Sequence, residues 1–169
     1  RRGGSPEENQ ALMAPFLQDR ALLARRINAA LTAVKGLAPV DARRVAAMGF
    51  CFGGLCVLDL ARSGAELRGV VSFHGLLKPS GLPPAARIAA RVLMLHGYDD
   101  PLAPPEDVLA VAREFTQAGA DWQLHAYGGV LHAFTVPEAN DLSLGALYNA
   151  DAERRSWRAL VDFLAEIFA

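Results

Sequence analysis

The chain has 169 residues, of which 52% are hydrophobic and 21% charged, with a formal net charge of −1. That length suits one domain around a single sizeable core, and the near-neutral charge excludes a field that would gather nucleic acid or an anionic membrane. The longest nearly unbroken apolar run, residues 45–58, holds three glycines and is too short to span a bilayer.

No basic stretch followed by an apolar one marks a secretory leader. The two cysteines, Cys51 and Cys56, lie five residues apart with no metal-ligand spacing around them. The expectation is two free thiols in a reducing, cytoplasmic setting, with no metal and no cofactor. Arginine outnumbers lysine fifteen to two, a composition that points to a bacterial source.

In chain order, the first ten residues read as polar and loop-like, turning more apolar towards Phe16 and Leu17. Asp19 is placed to cap a helix that ends near Gly36, with Leu23, Ile27, Leu31 and Val34 on one stripe. Residues 44–50 read as a short buried strand, and residues 52–63 as a helix built directly onto it. A second strand is predicted over 69–74, a third over 90–96, and a fourth over 122–127. Between the last two, a helix starts at Pro104-Pro105 and stops at Gly119. The last helix runs from about Asp151, with Trp157, Leu160, Val161, Leu164 and Phe168 as its expected inward stripe. Strands alternating with helices imply an α/β fold, a mostly parallel sheet with helices on both faces. Ligands in such sheets bind beyond the carboxyl ends of the strands, so chemistry is sought there.

Gly49-Phe50-Cys51-Phe52-Gly53-Gly54 lies at a strand–helix junction and has the G-x-nucleophile-x-G form of a nucleophile elbow, with cysteine in the nucleophile position. So tight a turn is expected to strain the nucleophile's backbone and to require small residues two before and two after it. The following helix points its N-terminus at the site, which favours a thiolate on Cys51. It also makes the Phe52 N–H an oxyanion donor. A nucleophile needs a base, and the base an orienting acid. After the third strand comes HGYDDPLAP, with Asp99 and Asp100 adjacent; after the fourth comes YGGVLHAF, with His132. Nucleophile, acid and histidine thus follow in the order that this fold uses.

The blocks GFCFGG, HGYDDPLAP and YGGVLHAF resemble the three catalytic blocks of the dienelactone hydrolase family, and the similarity extends over the whole chain. The resemblance implies an α/β-hydrolase fold and selects Asp100 over Asp99, because the family's aspartate lies four residues ahead of the loop proline. The implied triad is Cys51, Asp100 and His132, acting on a small-molecule carboxylic ester or lactone through a thioester. Phe50, His74, Phe134 and Tyr148 are candidate pocket walls. His96 is expected to brace its Gly97 turn, and His125 and Cys56 to be structural.

The family also carries upstream strands and a loop that supplies a second oxyanion donor and a glutamate facing the resting cysteine. Neither is in this sequence, so the chain is expected to be the C-terminal catalytic portion of a larger α/β-hydrolase domain. The family's carboxylate-binding arginine, four residues after the histidine, is Val136 here, which favours a more apolar ester. Arg1 and Arg2 lie near the place of another anion-binding arginine. The competing readings are a thioesterase or peptidase on the same scaffold, and a non-catalytic fragment or interaction scaffold.

Overall fold

In a computed structural model of the protein, residues 3–83, 85 and 87–169 are described; Arg1 and Arg2, named above as candidate anion contacts, lie outside them. Four strands form one parallel sheet in the order β1 (Ala46–Phe50), β2 (Gly69–Phe73), β3 (Arg91–Gly97) and β4 (Trp122–Tyr127). Their registers run Ala46 to Gly69, Gly69 to Arg91 and Val92 to Trp122, so the carboxyl ends of all four strands finish at one rim. β2 and the interior of β3 are buried on both faces, as their apolar runs require in a sheet covered by helices.

Side chains on the two faces feed two cores. Val70, Val92 and Met94 meet Val57 and Leu58 of α3 (Phe52–Arg62) and Val111 and Phe115 of α4 (Pro105–Gln117). Val71, Phe73, Leu93 and Leu95 meet Leu160, Phe163 and Ile167 of α5 (Ala150–Phe168).

Four expectations need correction. The polar start is not a loop: α1 (Pro6–Gln18) begins there, capped by the Ser5 hydroxyl, which accepts the Glu8 N–H, with Glu7 and Glu8 in its first turn. The helix continues through Pro15, and Asp19 closes it while its carboxylate accepts the Leu22 N–H to start α2 (Arg20–Lys35). β1 is not a buried strand. It is an edge strand, with Met48 and Phe50 exposed. The inward stripe of α5 is Ala152, Ser156, Leu160, Phe163 and Ile167, whereas Trp157 and Val161 are exposed. The two discrepancies share a cause, because this second apolar stripe of α5 lies beside the uncovered β1 edge, where Phe50 and Phe73 approach the Trp157 ring at 6.5 and 5.5 Å. Finally, residues 140–147 carry a small hairpin, β5 (Asn140–Asp141) with β6 (Ala146–Leu147), that the sequence reading left out.

Charged side chains inside the helical layer are paired. The Arg20 guanidinium grips the Asp59 carboxylate with two hydrogen bonds of 2.7 and 2.6 Å. Arg62 donates to the same carboxylate at 3.1 Å and holds Glu114 through two bonds of 2.8 Å. This chain of charges ties α2, α3 and α4 together. Removing one member would leave buried charge uncompensated.

Candidate active site

The turn from β1 to α3 places Cys51 at φ 53° and ψ −117°, a strained setting for a residue with a Cβ. The strain is held from two sides: the Cys51 N–H donates to the Phe73 carbonyl of β2 at 3.0 Å, and the Cys51 carbonyl accepts the Leu55 N–H at 3.3 Å. The glycines divide differently from the expectation. A Cβ on Gly49 would lie 2.1 Å from the Gly53 carbonyl oxygen, and one on Gly54 would lie 2.7 Å from the Gly75 Cα. A Cβ on Gly53 would meet nothing within 4 Å. The elbow therefore needs Gly49 for its own turn and Gly54 for the contact of α3 with the end of β2, and places no steric demand on Gly53.

Asp100 and His132, on different loops of the same rim, meet directly: the His132 Nδ1–H donates to Asp100 Oδ2 at 2.6 Å, and both residues are buried. The other carboxylate oxygen of Asp100 accepts the Leu102 N–H at 2.8 Å, which fixes the carboxylate in its loop. Asp99 is exposed. His132 is held by the small hairpin, its N–H donating to the Gly145 carbonyl and its carbonyl accepting the Leu147 N–H. Gly97 makes the close approach possible, because a Cβ there would lie 2.6 Å from the Val130 carbonyl oxygen.

Burial, the strongest single influence on His132, pushes its pKa down. Interactions with the Asp100 carboxylate and with Cys51 outweigh it together and raise the value to about 9. His74 moves the other way, to about 4, first through burial and then through the charge of His132. His96 is also lowered, chiefly by burial. The unfolded chain holds ordinary histidines near 6.5.

Between pH 6.5 and about 9 the folded protein binds the His132 proton more tightly than the unfolded chain, so stability falls as pH rises. Between 6.5 and about 4 the unfolded chain binds protons that His74 refuses, so stability falls as pH drops. Each group contributes a slope of at most about 1.4 kcal/mol per pH unit. Urea midpoints are expected to peak near pH 6.5, with a shallower alkaline decline in His132→Gln. A midpoint that climbs steadily from pH 6.5 to 9 would contradict this assignment.

The remaining candidates separate. Phe52 starts α3, where its N–H has no acceptor within the helix, and its ring lies 6.4 Å from Phe16 of α1. Phe50 is exposed and stacks on Phe73 at 4.7 Å, so it stands at the rim. Phe134 is fully buried, edge-on to Tyr127 and His74, and belongs to the core. Tyr148 turns towards α5 and donates its hydroxyl to Glu153 at 2.6 Å, so it is not held towards the triad. His96 does not brace Gly97 by hydrogen bonding, since neither ring nitrogen has a partner among the described residues. His125 is exposed on β4. Cys56 is half-buried, its thiol pushed up to about 11 by burial and by the nearby Asp59.

The sequence reading passed over Thr135, whose hydroxyl meets His74 Nε2 at 2.9 Å, and its position three residues beyond the histidine was the only signal available. Among the described residues no three His, Cys, Asp or Glu gather as a metal site, and no helix is long and apolar enough to cross a membrane.

A solved structure of a dienelactone hydrolase-like promiscuous phosphotriesterase from metagenomic libraries superposes with a TM-score of 0.89 at 43% identity, covering 95% of this chain and 67% of that one. A structure described as m3DLH superposes at 0.91 and 41%, covering 100% and 71%. An uncharacterized Caenorhabditis elegans protein is 39% identical over 147 residues, 85% of this chain and 93% of its own length. The human carboxymethylenebutenolidase homolog is 26% identical over 68% of this chain and 46% of its own length. Apart from the worm protein, the chain spans about half to two thirds of the length of the curated relatives it matches. The dienelactone hydrolase family model matches residues 1–168. With the elbow, the paired loops and this match over nearly its full length, the chain belongs to the dienelactone hydrolase family.

Proposed function

We propose that the protein hydrolyses a small carboxylic ester or lactone with Cys51 as nucleophile, His132 as general base and acid, and Asp100 as the group that orients His132. The observation that carries this reading is the 2.6 Å bond from His132 to Asp100, at the same rim as a cysteine held at positive φ on a strand-to-helix turn.

With Nδ1–H committed to Asp100, Nε2 is left to take the Cys51 proton, and because the His132 pKa is raised to about 9 the ring keeps that proton at neutral pH until the leaving group takes it. The sulfur then attacks the ester carbonyl, and negative charge on the carbonyl oxygen meets the N-terminus of α3 and the Phe52 N–H. Collapse breaks the C–O bond. The alkoxide takes its proton from His132 Nε2 and departs, leaving a thioester on Cys51. His132 next removes a proton from water as the water attacks the thioester. Collapse of this second tetrahedral species releases the acid and returns the proton to the sulfur. Val136, four residues after His132, carries no charge, which favours substrates without a carboxylate at that end.

The reading is tested by mixing the protein with a p-nitrophenyl ester, quenching in acid and measuring the intact mass. An acyl adduct on Cys51, and none on Cys56 with its raised pKa, is the expected result. A product burst without any adduct would reject the thioester. A dialkyl p-nitrophenyl phosphate belongs in the same panel, because the related solved structure is described as a promiscuous phosphotriesterase.

A further inference from the structure

Three non-glycine residues hold positive φ among the described residues: Cys51 at 53°, His74 at 35° and Ala133 at 56°. Cys51 is the proposed nucleophile and Ala133 follows the proposed base, so one of the three strained positions is a triad residue and a second adjoins one. His74 completes the set, since its ring packs edge-on against the His132 ring with centroids 5.1 Å apart and planes at 70°. Strain of this kind persists only where the surroundings enforce it, and it concentrates at functional sites.

The surroundings of His74 do enforce it. Its N–H donates to the Leu95 carbonyl at 2.8 Å, and the carbonyl of the preceding Phe73 accepts the Cys51 N–H at 3.0 Å. Its Nε2 is hydrogen-bonded to Thr135 Oγ1 at 2.9 Å, and its ring lies edge-on to Phe134 at 5.2 Å. A circuit closes: His132, Ala133, Phe134 and Thr135 run along one loop, and His74 joins Thr135 back to His132. A purely apolar packing role would be met more cheaply by phenylalanine, since His74 buries an Nδ1 that has no partner among the described residues.

Resting on the Cys51–His132–Asp100 reading above, we propose that His74, tethered by Thr135, is a positioning residue that fixes the plane of the His132 imidazole. Asp100 and Cys51 hold the His132 ring along its edge through hydrogen bonds, and the His74 ring packs against it and limits its rotation out of that line. The groups that act on the charge of His132 are Asp100, Cys51, His74 and His96. Burial keeps His74 neutral in the working range, so the imidazolium formed during the reaction meets a ring rather than a second cation.

The test compares Thr135→Val, Thr135→Ser and His74→Phe with the unaltered protein, using ester hydrolysis across pH. Thr135→Val removes the hydroxyl at nearly constant volume. It is expected to lower kcat about tenfold, with KM within about twofold, because a small misplacement of a catalytic group acts on the chemical step. It should also move the upper limb of the kcat/KM profile to lower pH, as His132 loses part of its hold on Asp100. Thr135→Ser is expected to restore both, and His74→Phe to behave like Thr135→Val. A wild-type pH profile and kcat in Thr135→Val, even with a lowered melting temperature, would show a structural role only and overturn the proposal. Cys51→Ala run alongside separates the two failures: full activity there would overturn the triad reading itself.

Discussion

Asp100→Asn is expected to lower kcat on the order of 10³–10⁴-fold while leaving the fold intact, an effect of the size known for loss of the orienting aspartate in a serine triad. The reason lies in the two oxygens of Asp100. One accepts the Leu102 N–H and the other accepts the His132 Nδ1–H. Asparagine has a single acceptor oxygen. If that oxygen keeps the Leu102 bond, its NH₂ faces His132 and demands an unprotonated Nδ1. The imidazole proton then sits on Nε2, facing Cys51, where the lone pair is needed. The variant also loses the carboxylate that raises the His132 pKa, so its pH profile is expected to shift down as well. Steady-state kinetics with circular dichroism of the same samples checks both parts. A kcat within tenfold of wild type would show that the Asp100–His132 bond has no catalytic consequence.

Gly49→Ala is the second large effect, and its control is internal. A Cβ at Gly49 would sit 2.1 Å from the Gly53 oxygen and 2.2 Å from the Gly53 carbon, both backbone atoms of the elbow. The turn must open to admit it, at a cost of about 1–3 kcal/mol or more. Opening it moves Cys51 away from His132, so activity should fall at least about a hundredfold. Gly53→Ala, four residues along, meets open space and lies in the first turn of α3, where alanine is favoured over glycine by at most about 1 kcal/mol. It should retain activity and gain a little stability. The pattern matters because the sequence motif alone assigns both glycines the same role. Thermal melts and ester turnover on the pair are the measurement, and equal losses in both variants would contradict the elbow geometry.

The sequence carried the strand–helix alternation and the three loops at one rim because those features are local: apolar runs, turn residues and short motifs. β4 ends where its pattern predicts, and β2 and β3 lie within a residue of it. What was not legible depends on distant neighbours. The exposed stripe of Trp157 and Val161 is indistinguishable in periodicity from the buried one, and only the open β1 edge decides between them. The polar opening of α1 and its Pro15 hid a helix that its Ser5 cap could have signalled. Nothing local marks Arg20, Asp59, Arg62 and Glu114 as partners, since Asp59 lies 39 residues from Arg20 and Arg62 lies 52 from Glu114. At the site, the three loops were visible, but the tie from Thr135 to His74 spans 61 residues and follows no motif.

The most direct test of the account is hydrolysis of a short p-nitrophenyl ester by this chain beside its Cys51→Ala variant, in the same buffer at pH 7.5–8. The account predicts turnover that vanishes in Cys51→Ala, with Cys56 unable to substitute. Equal turnover by both proteins would contradict a cysteine nucleophile at the elbow.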